Sequence, residues 1–574
     1  MLQKIAELLN IVKKGNRPPW YKFYGNVAPK LDYPDLTMYE LIEKTAKKYP
    51  NNIALEYYKI IETYSTFMAK INRVAKSLKT IGVKENDVVT ICMPNTPAAV
   101  EMFYAVNKVG AIANMIHPLS SENEIKLYLT LSKSKYVLSI DASYEKIKNI
   151  VQQTDVENII LSFPNDNMNI VMSGLYWLKI GRKSKVIPDV NTMTWHQFLE
   201  KGKNYKGETK VSRNTKDKAL ILYSGGTTGD PKGIVLSNLN FNALAMQAHL
   251  MCDPSKAGDS ILSIMPIFHG FGLGVCIHTP LYIGMKCILI PTFSAKNFAS
   301  LIKQNKPNFL VGVPTLFEAL LKSKKIKKKD LSCVTCIVSG GDSLSPELKK
   351  KVDAFLKEHG SKYQIREGYG LTECSGASCL TPSNFYKENS IGIPFPDTTY
   401  KIVKIGTFDE ADPNEDGEIV INGPSVMIGY LEDQEETNNV LKIHDDGKIW
   451  LHTGDIGCID KNSFVYFKQR LKRIIVSSGY NLYPKYIENV IESHPDVLTS
   501  SVVGIPHPYK MQVAKAYIVL KDGVKATYEV KKSIKDHCTK NLAKYSLPYE
   551  YEFRDAIPKT KIGKVDYRKL EKGD

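Results

Sequence analysis

Nowhere in this sequence does an apolar run approach the roughly twenty residues that a membrane-spanning helix requires, so no transmembrane segment is expected. The opening stretch, "MLQKIAELLNIVKK", spaces leucine and isoleucine at helical intervals with lysines between them. That is not the continuous apolar core of a secretory signal, and none is expected. Cysteine is thinly spread: ten residues scattered over 574 argue against a disulfide scaffold and for a reducing compartment. The lone C-x-x-C, Cys333 and Cys336 in "SCVTCIVSGGD", reads as strand. Residues three apart on a strand point to opposite faces and no second pair follows, so both are expected to pack rather than to bind zinc. There is no fixed-period repeat. Acidic residues are the minority, 60 against 77 Lys and Arg, which leaves a formal net charge of +17. Such an excess suits nucleic acid, an anionic membrane or acidic substrates such as nucleotides; a lysine-rich solvated surface explains it more simply. Arginine-rich arms, aromatic–basic interleaving and zinc knuckles are missing, so nucleic acid is not an expected partner.

What is present is a chain too long for one simple core, with 43% hydrophobic residues, as a folded globular protein has. From about Asp87 to Glu367, strand-like runs ("VVTICMPN", "KYVLSID", "DSILSIMPI", "MKCILIP", "NFLVGVPT", "CVTCIVSGG") alternate with helical patterns ("PAAVEMFYAVNKVG", "SENEIKLYLTLSK"). This alternation predicts an α/β fold with largely parallel sheets. The tail changes character. "RIIVSS", "PKYIENVIESH", "LTSSVVGIP", "AKAYIVLK" and "KKSIKDHCTKNL" predict a smaller α+β domain. The expected division is residues 1–469, a large multi-sheet domain, and 470–574, a small mobile one. The lysine run "KSKKIKKKD" at 322–330 reads as a solvated loop. Residues 169–188 mix aromatics with Lys and Arg; they read as a loop packed on its own domain or as a contact with a membrane interface. A cytoplasmic protein, monomeric or homodimeric, is therefore expected, with peripheral membrane contact left open.

The densest chemical signal is "LYSGGTTGDPKG" at 222–233, which follows an apolar strand. Glycine-rich turns gather backbone N–H groups into an anion cradle, and hydroxyls and a lysine strengthen it. The spacing is not Walker A: Pro231 precedes Lys232, and Gly233 stands where Ser or Thr should follow. No G-x-G-x-x-G fingerprint exists either; "GFGLG" at 270–274 is too short and reads as a glycine-rich helix start.

The loop closely resembles the phosphate loop of the adenylate-forming superfamily, which includes acyl-CoA synthetases, nonribosomal adenylation domains and beetle luciferases. Six further stretches resemble that superfamily's motifs in order: "PIFHGFGL" (266–273), "SGGDSLS" (339–345), "EGYGLTE" (367–373), "WLHTGD" (450–455), "QRLKRIIVSSGYNLYPKYIE" (469–488) and "PKTKIGKV" (558–565). The resemblance spans the chain from about Leu36. Two positions depart from the superfamily's pattern: Gly225 replaces a hydroxyl residue, and Gln469 stands where Gly or Asp commonly precedes the arginine.

The resemblance implies a division of labour for ATP, Mg²⁺ and coenzyme A. Ser224, Gly225, Gly226, Thr227, Thr228, Gly229 and Lys232 would hold the phosphates of departing pyrophosphate. Gly341 and Asp342 would line the adenine edge; Gly368, Tyr369 and Gly370 would present the adenine-stacking ring. Thr372 would bond the α-phosphate. Asp455 would accept both ribose hydroxyls, with Arg470 donating to the same sugar, and Glu373 would hold the metal. Lys564 would bridge carboxylate and phosphate, where two anions must meet. The implied catalytic set is Lys564, Glu373, Thr228 and His269. Lys472 would be a hinge that exchanges Lys564 for the loop of Ser478, Gly479 and Tyr480, which forms a thiol tunnel for coenzyme A.

Phe268, His269, Gly270, Phe271 and Gly272 would begin the acyl pocket. His269 stands at a position where amino-acid-activating domains usually carry aspartate, and the residues after it bear no charge. An apolar acid is thus implied, each buried methylene being worth roughly 0.8 kcal/mol. "GVPTLFEALL" (312–321) and the fit across the middle of the chain look most like medium- and long-chain fatty acyl-CoA synthetases. Two other readings stay open at this point. One is an acyl- or aryl-adenylating ligase delivering to a carrier protein; the other is a non-catalytic nucleotide- or nucleic-acid-binding protein.

Overall fold

The computed structural model describes residues 19–25, 27–28, 30–168, 173–174, 191–224, 231–473, 475–477, 480–482, 484–542, 546–560 and 565–573. The readings on 1–14, on most of 169–188, on Gly225, Gly226, Thr227, Thr228 and Gly229, on Ser478 and Gly479, and on Lys564 lie outside the described residues. So do the side chains of Lys472 and Tyr480.

Two large sheets carry the alternating part of the chain. Nine strands lie side by side in the order Ile393–Pro394, Cys379–Leu380, Ile365–Tyr369, Cys336–Ser339, Phe309–Gly312, Ser260–Ser263, Lys286–Leu289, Ile53–Tyr57 and Ile60–Thr63. The run from Ile365–Tyr369 to Ile53–Tyr57 is parallel and the outer strands are antiparallel. The second sheet has eight strands, ordered Gly429–Tyr430, Lys232–Ser237, Lys218–Ser224, Ile112–Met115, Val88–Cys92, Tyr136–Ile140, Asn158–Ser162 and Thr192–Thr194. Here Lys218–Ser224 and the strands beyond it are parallel. Parallel strands covered on both faces read as continuous apolar runs, which is why they were visible in the sequence.

The helices follow equally local causes. Pro97–Lys108 starts with Thr96 accepting the Ala99 N–H and with proline in its first turn, and all twelve residues are buried. A helix buried on every side, its Glu101, Asn107 and Lys108 included, belongs inside a core. Glu122–Ser132 opens with a reciprocal cap: the Ser121 hydroxyl accepts the Glu124 N–H at 3.3 Å, and Glu124 Oε2 accepts the Ser121 N–H at 2.6 Å. Such caps are worth about 1 kcal/mol.

A third, antiparallel sheet of five strands was not foreseen. It contains Thr399–Val403, Gly417–Asn422, Ile449–Ile459, Leu441–Ile443 and Val465–Arg470. Its longest strand includes Thr453, Gly454 and Asp455, a triplet that reads locally as a turn. The tail forms another five-stranded sheet, of Tyr480–Leu482, Ile475–Ser477, Met511–Leu520, Val497–His507 and Glu550–Phe553. Helices Pro484–Glu492 and Tyr528–Asn541 accompany it. This unit has its own core, with Ile487, Ile491, Val502, Ala516 and Ile534.

One reading needs correction. The strand begins at Cys336, and Cys333 sits in the turn before it, its thiol toward the carbonyl of Pro307. The opposite-face argument therefore does not apply, although both cysteines are free thiols. Among the described residues no helix is long and apolar enough to cross a membrane.

Candidate functional site

Parallel strands of both large sheets end at one cleft. Its cavity, about 1380 Å³, is lined by residues that follow the C-terminal ends of the strands Ile112–Met115, Lys218–Ser224, Ser260–Ser263, Phe309–Gly312, Cys336–Ser339 and Ile365–Tyr369. Ligands bind at such ends because the connecting loops diverge there and expose backbone groups. Ser224, Lys232, Phe268, His269, Gly270, Phe271, Gly341, Asp342, Gly368, Tyr369, Gly370, Thr372, Glu373, Asp455 and Arg470 all line it. They come from as far apart in sequence as Ser224 and Arg470, and the sheets bring them together.

Antiparallel pairing sets Ser224 opposite Lys232, and both residues line the cleft. The Lys232 ammonium is ion-paired with the Glu436 carboxylate and lies 5.2 Å from the centre of the Tyr430 ring. Tyr430 donates its hydroxyl to Glu373 Oε1 at 3.1 Å. Burial, with the Glu373 charge beside it, holds the Tyr430 phenol far above its ordinary value, so it remains a donor.

On the other wall the register pairs Asp455 with Arg470, and Arg470 Nε lies 3.5 Å from Asp455 Oδ1. Tyr369 donates its hydroxyl to Asp455 Oδ2 at 2.7 Å. Burial and the Asp455 charge raise the Tyr369 phenol well above its usual range. What presents Asp455 is an irregular step in its strand. Gly454 takes φ +67°, a left-handed conformation that suits glycine, and donates its N–H to Glu418 Oε1 at 2.9 Å. The other Glu418 oxygen lies 2.8 Å from His452 Nδ1.

Toward the interior the lining turns apolar, with Ile261, Val275, Ile283, Phe309 and Val311. Phe268 packs against the rings of His117 and His269, at 4.3 and 5.0 Å between centres. Glu367 also faces the cavity; burial pushes its carboxyl up to about 7, while Leu344 donates an N–H to it at 3.0 Å. Gly272, expected in the acyl pocket, does not line the cavity. It lies in the wide helical turn Phe271–His278, where an added Cβ would come within 1.9 Å of the Pro266 carbonyl oxygen. Its smallness serves backbone packing.

From the tail, Arg473, Lys485, Thr560, Val565, Asp566 and Tyr567 reach the cleft. Arg473 lies 3.7 Å over the Tyr567 ring and 2.9 Å from Glu488 Oε1. The backbone of Lys472 belongs to the short turn Leu471–Arg473, directly after Arg470.

Glu373 suits a magnesium ion: it is one half-exposed carboxylate facing a phosphate-sized cleft, and Mg²⁺ takes one or two carboxylates with the remaining positions filled by phosphate and water. Among the described residues no group of three His, Cys, Asp or Glu could hold a metal by itself. Tyr430 and Glu436 escaped the sequence reading. "GYLEDQEET" looks like an acidic surface loop, and only the pairing of Gly429–Tyr430 with Lys232–Ser237 carries it to the Lys232 side of the cleft.

Residues 42–431 match the AMP-binding enzyme family, and 486–564 match the AMP-binding enzyme C-terminal domain. Over 566 residues the chain is 33% identical to a long-chain-fatty-acid–CoA ligase of Bacillus subtilis (strain 168), covering 97% of this chain and 98% of that protein. Among solved structures it resembles ATP-bound MatB from Rhodopseudomonas palustris, with a TM-score of 0.81 at 22% identity, covering 94% and 99% of the two chains. A fatty acyl CoA synthetase of Mycobacterium tuberculosis gives 0.70 at 25% identity, over 94% and 98%.

Proposed function

The chain belongs to the AMP-binding enzyme family, and from that premise we propose that it joins a fatty acid to coenzyme A through an acyl-adenylate, releasing AMP and pyrophosphate. One observation carries the reading. A single cavity holds Ser224 and Lys232, the Tyr369–Asp455–Arg470 group, Glu373, and an apolar recess that starts at Phe268 and His269. The fatty acid preference is supported by that uncharged recess and by the 33% identical relative.

A carboxylate is a poor acyl donor because its oxygen leaves badly. Moving AMP onto it makes a mixed anhydride, but the approach sets carboxylate against α-phosphate, both anionic. Protein cations must offset that repulsion, and they act strongly in a water-poor cleft. On this reading Lys232 and the glycine-rich stretch before it, including Thr227 and Thr228, hold the pyrophosphate that departs. Asp455 accepts the ribose hydroxyls, with Arg470 beside it, and the Tyr369 ring covers adenine. Thr372 donates to the α-phosphate, and His269 closes the mouth of the acyl recess. Glu373 would hold Mg²⁺, which when bound neutralises phosphate charge. Lys564 is assigned to the meeting point of carboxylate and phosphate; Thr560 and Val565, its nearest described neighbours in sequence, both line the cavity.

Thioester formation needs a thiol where Lys564 acts. We assign the exchange to rotation of residues 470–574 about Lys472, which would bring Ser478, Gly479 and Tyr480 to the cleft. Val565, next to Lys564 in sequence, lines the cavity, which supports the adenylating pose as the one described.

The test is purified protein with ATP, Mg²⁺ and a panel of aliphatic, aryl and amino acids, with and without coenzyme A. AMP release that depends on coenzyme A and is greatest with medium- or long-chain fatty acids supports the reading. Adenylate formation indifferent to coenzyme A would move the acceptor to a carrier protein. No AMP with any acid would overturn it.

A further inference from the structure

Behind the cleft lies a second cavity of about 290 Å³, small for a ligand pocket, which shares the Cys336 wall with the first. Its base is Arg366, on the same strand as Glu367 and Tyr369. Arg366 is only 8% exposed. Its Nε donates to the Thr381 carbonyl at 2.7 Å and its Nη2 to the Met251 carbonyl at 2.8 Å. Among the described residues no carboxylate pairs with it. The guanidinium also bonds the side chain of Cys336, whose thiol the Cys252 side chain and burial keep protonated. A buried guanidinium that meets carbonyl dipoles and a neutral thiol lacks a carboxylate counter-ion, and burial of that kind is costly unless something compensates it.

The rim adds to the same sign. Lys349 lines the pocket but is spent on Asp353 at 2.6 Å. Lys362 is exposed at the mouth and makes no ion pair among the described residues. One carboxylate, Asp253, lines the pocket against these cations. Tyr363 and Tyr386 stand at the edge, 39% and 40% exposed, as flat surfaces for an organic body.

We propose that this pocket binds a phosphate monoester, free or as a lipid head group, with Arg366 and Lys362 receiving the phosphate and the tyrosines flanking the ester's carbon skeleton. Phosphate matches a planar guanidinium backed by a second cation, and charge-assisted hydrogen bonds there are the strong kind. The site is separate from the nucleotide cleft, so it stands or falls independently of the proposed ligase activity.

The experiment is calorimetric titration of the full chain with inorganic phosphate and with glycerol phosphate, its nucleotide site filled by a non-hydrolysable acyl-adenylate mimic. A parallel arm measures sedimentation with phosphatidylcholine vesicles containing phosphatidate. Binding should weaken by more than about tenfold in Arg366→Met and by about three- to tenfold in Lys362→Glu, and should persist in Lys232→Ala. Binding to the vesicles alone, with the same dependence on both residues, assigns the head group as the source. Lys362 is exposed, so Lys362→Glu decides the matter should Arg366→Met fail to fold. No binding in either arm, or binding that ignores both substitutions, would overturn the proposal.

Discussion

Lys232 and Glu436, 204 residues apart in sequence, are ion-paired in the wall of the cleft. On the proposed reading Lys232 receives phosphate, so ATP must draw it away from this carboxylate. Glu436→Gln is expected to lower KM for ATP by about three- to tenfold, the size of a partly exposed ion pair. Lys232→Ala should raise it instead. Initial rates over an ATP series measure both, and an unchanged KM in Glu436→Gln would mean that the pair does not compete with nucleotide.

Asp455 is bonded on one side by the Tyr369 hydroxyl and approached on the other by Arg470. If it reads the ribose, Asp455→Asn should raise KM for ATP by about tenfold or more. It should also erase most of the preference for ATP over 2′-deoxy-ATP. The competition experiment checks this, and a retained preference would assign sugar recognition elsewhere.

The sequence showed these two residues for different reasons. Asp455 stood out through the stretch "WLHTGD", yet nothing local announced that it lies within a strand and faces Arg470. Lys232 stood out through its glycines, while Glu436 was hidden in an acidic run whose position depends on pairing between strands remote in sequence. The parallel strands were legible because both faces are buried; the antiparallel sheet of 399–470 was not, since its glycine and aspartate content imitates turns. Gly272 was misread because a glycine needed for close backbone approach and one lining a pocket look identical in a string of letters.

That distinction is testable by folding. Gly272→Ala places a Cβ against the Pro266 carbonyl, where backbone must shift. A loss of about 1–3 kcal/mol is expected, as for other overpacked cores. Urea denaturation measures it, and a variant as stable as the parent would show that the turn has room.

Glu101 gives a pH signature. It is 2% exposed, close to the buried Glu62, and shares Lys70 with it at 3.5 Å. Burial, then repulsion from Glu62, pushes its carboxyl up to about 8 from an ordinary 4.5. The folded chain thus binds a proton that the unfolded chain has lost across this window. Stability from this group is complete below pH 4.5, declines as pH rises, and is gone above 8. Glu101→Gln should flatten that decline, which has a slope of up to about 1.4 kcal/mol per pH unit. Denaturation curves from pH 5 to 9 compare the two; parallel curves would refute the shifted carboxyl.

The most direct measurement of the two-lobe mechanism separates the half-reactions in Lys564→Ala. Fatty-acid-dependent exchange of pyrophosphate into ATP should vanish, while thioester formation from supplied acyl-adenylate and coenzyme A should continue near the parent rate. Equal loss of both half-reactions, or exchange that survives the substitution, would contradict it.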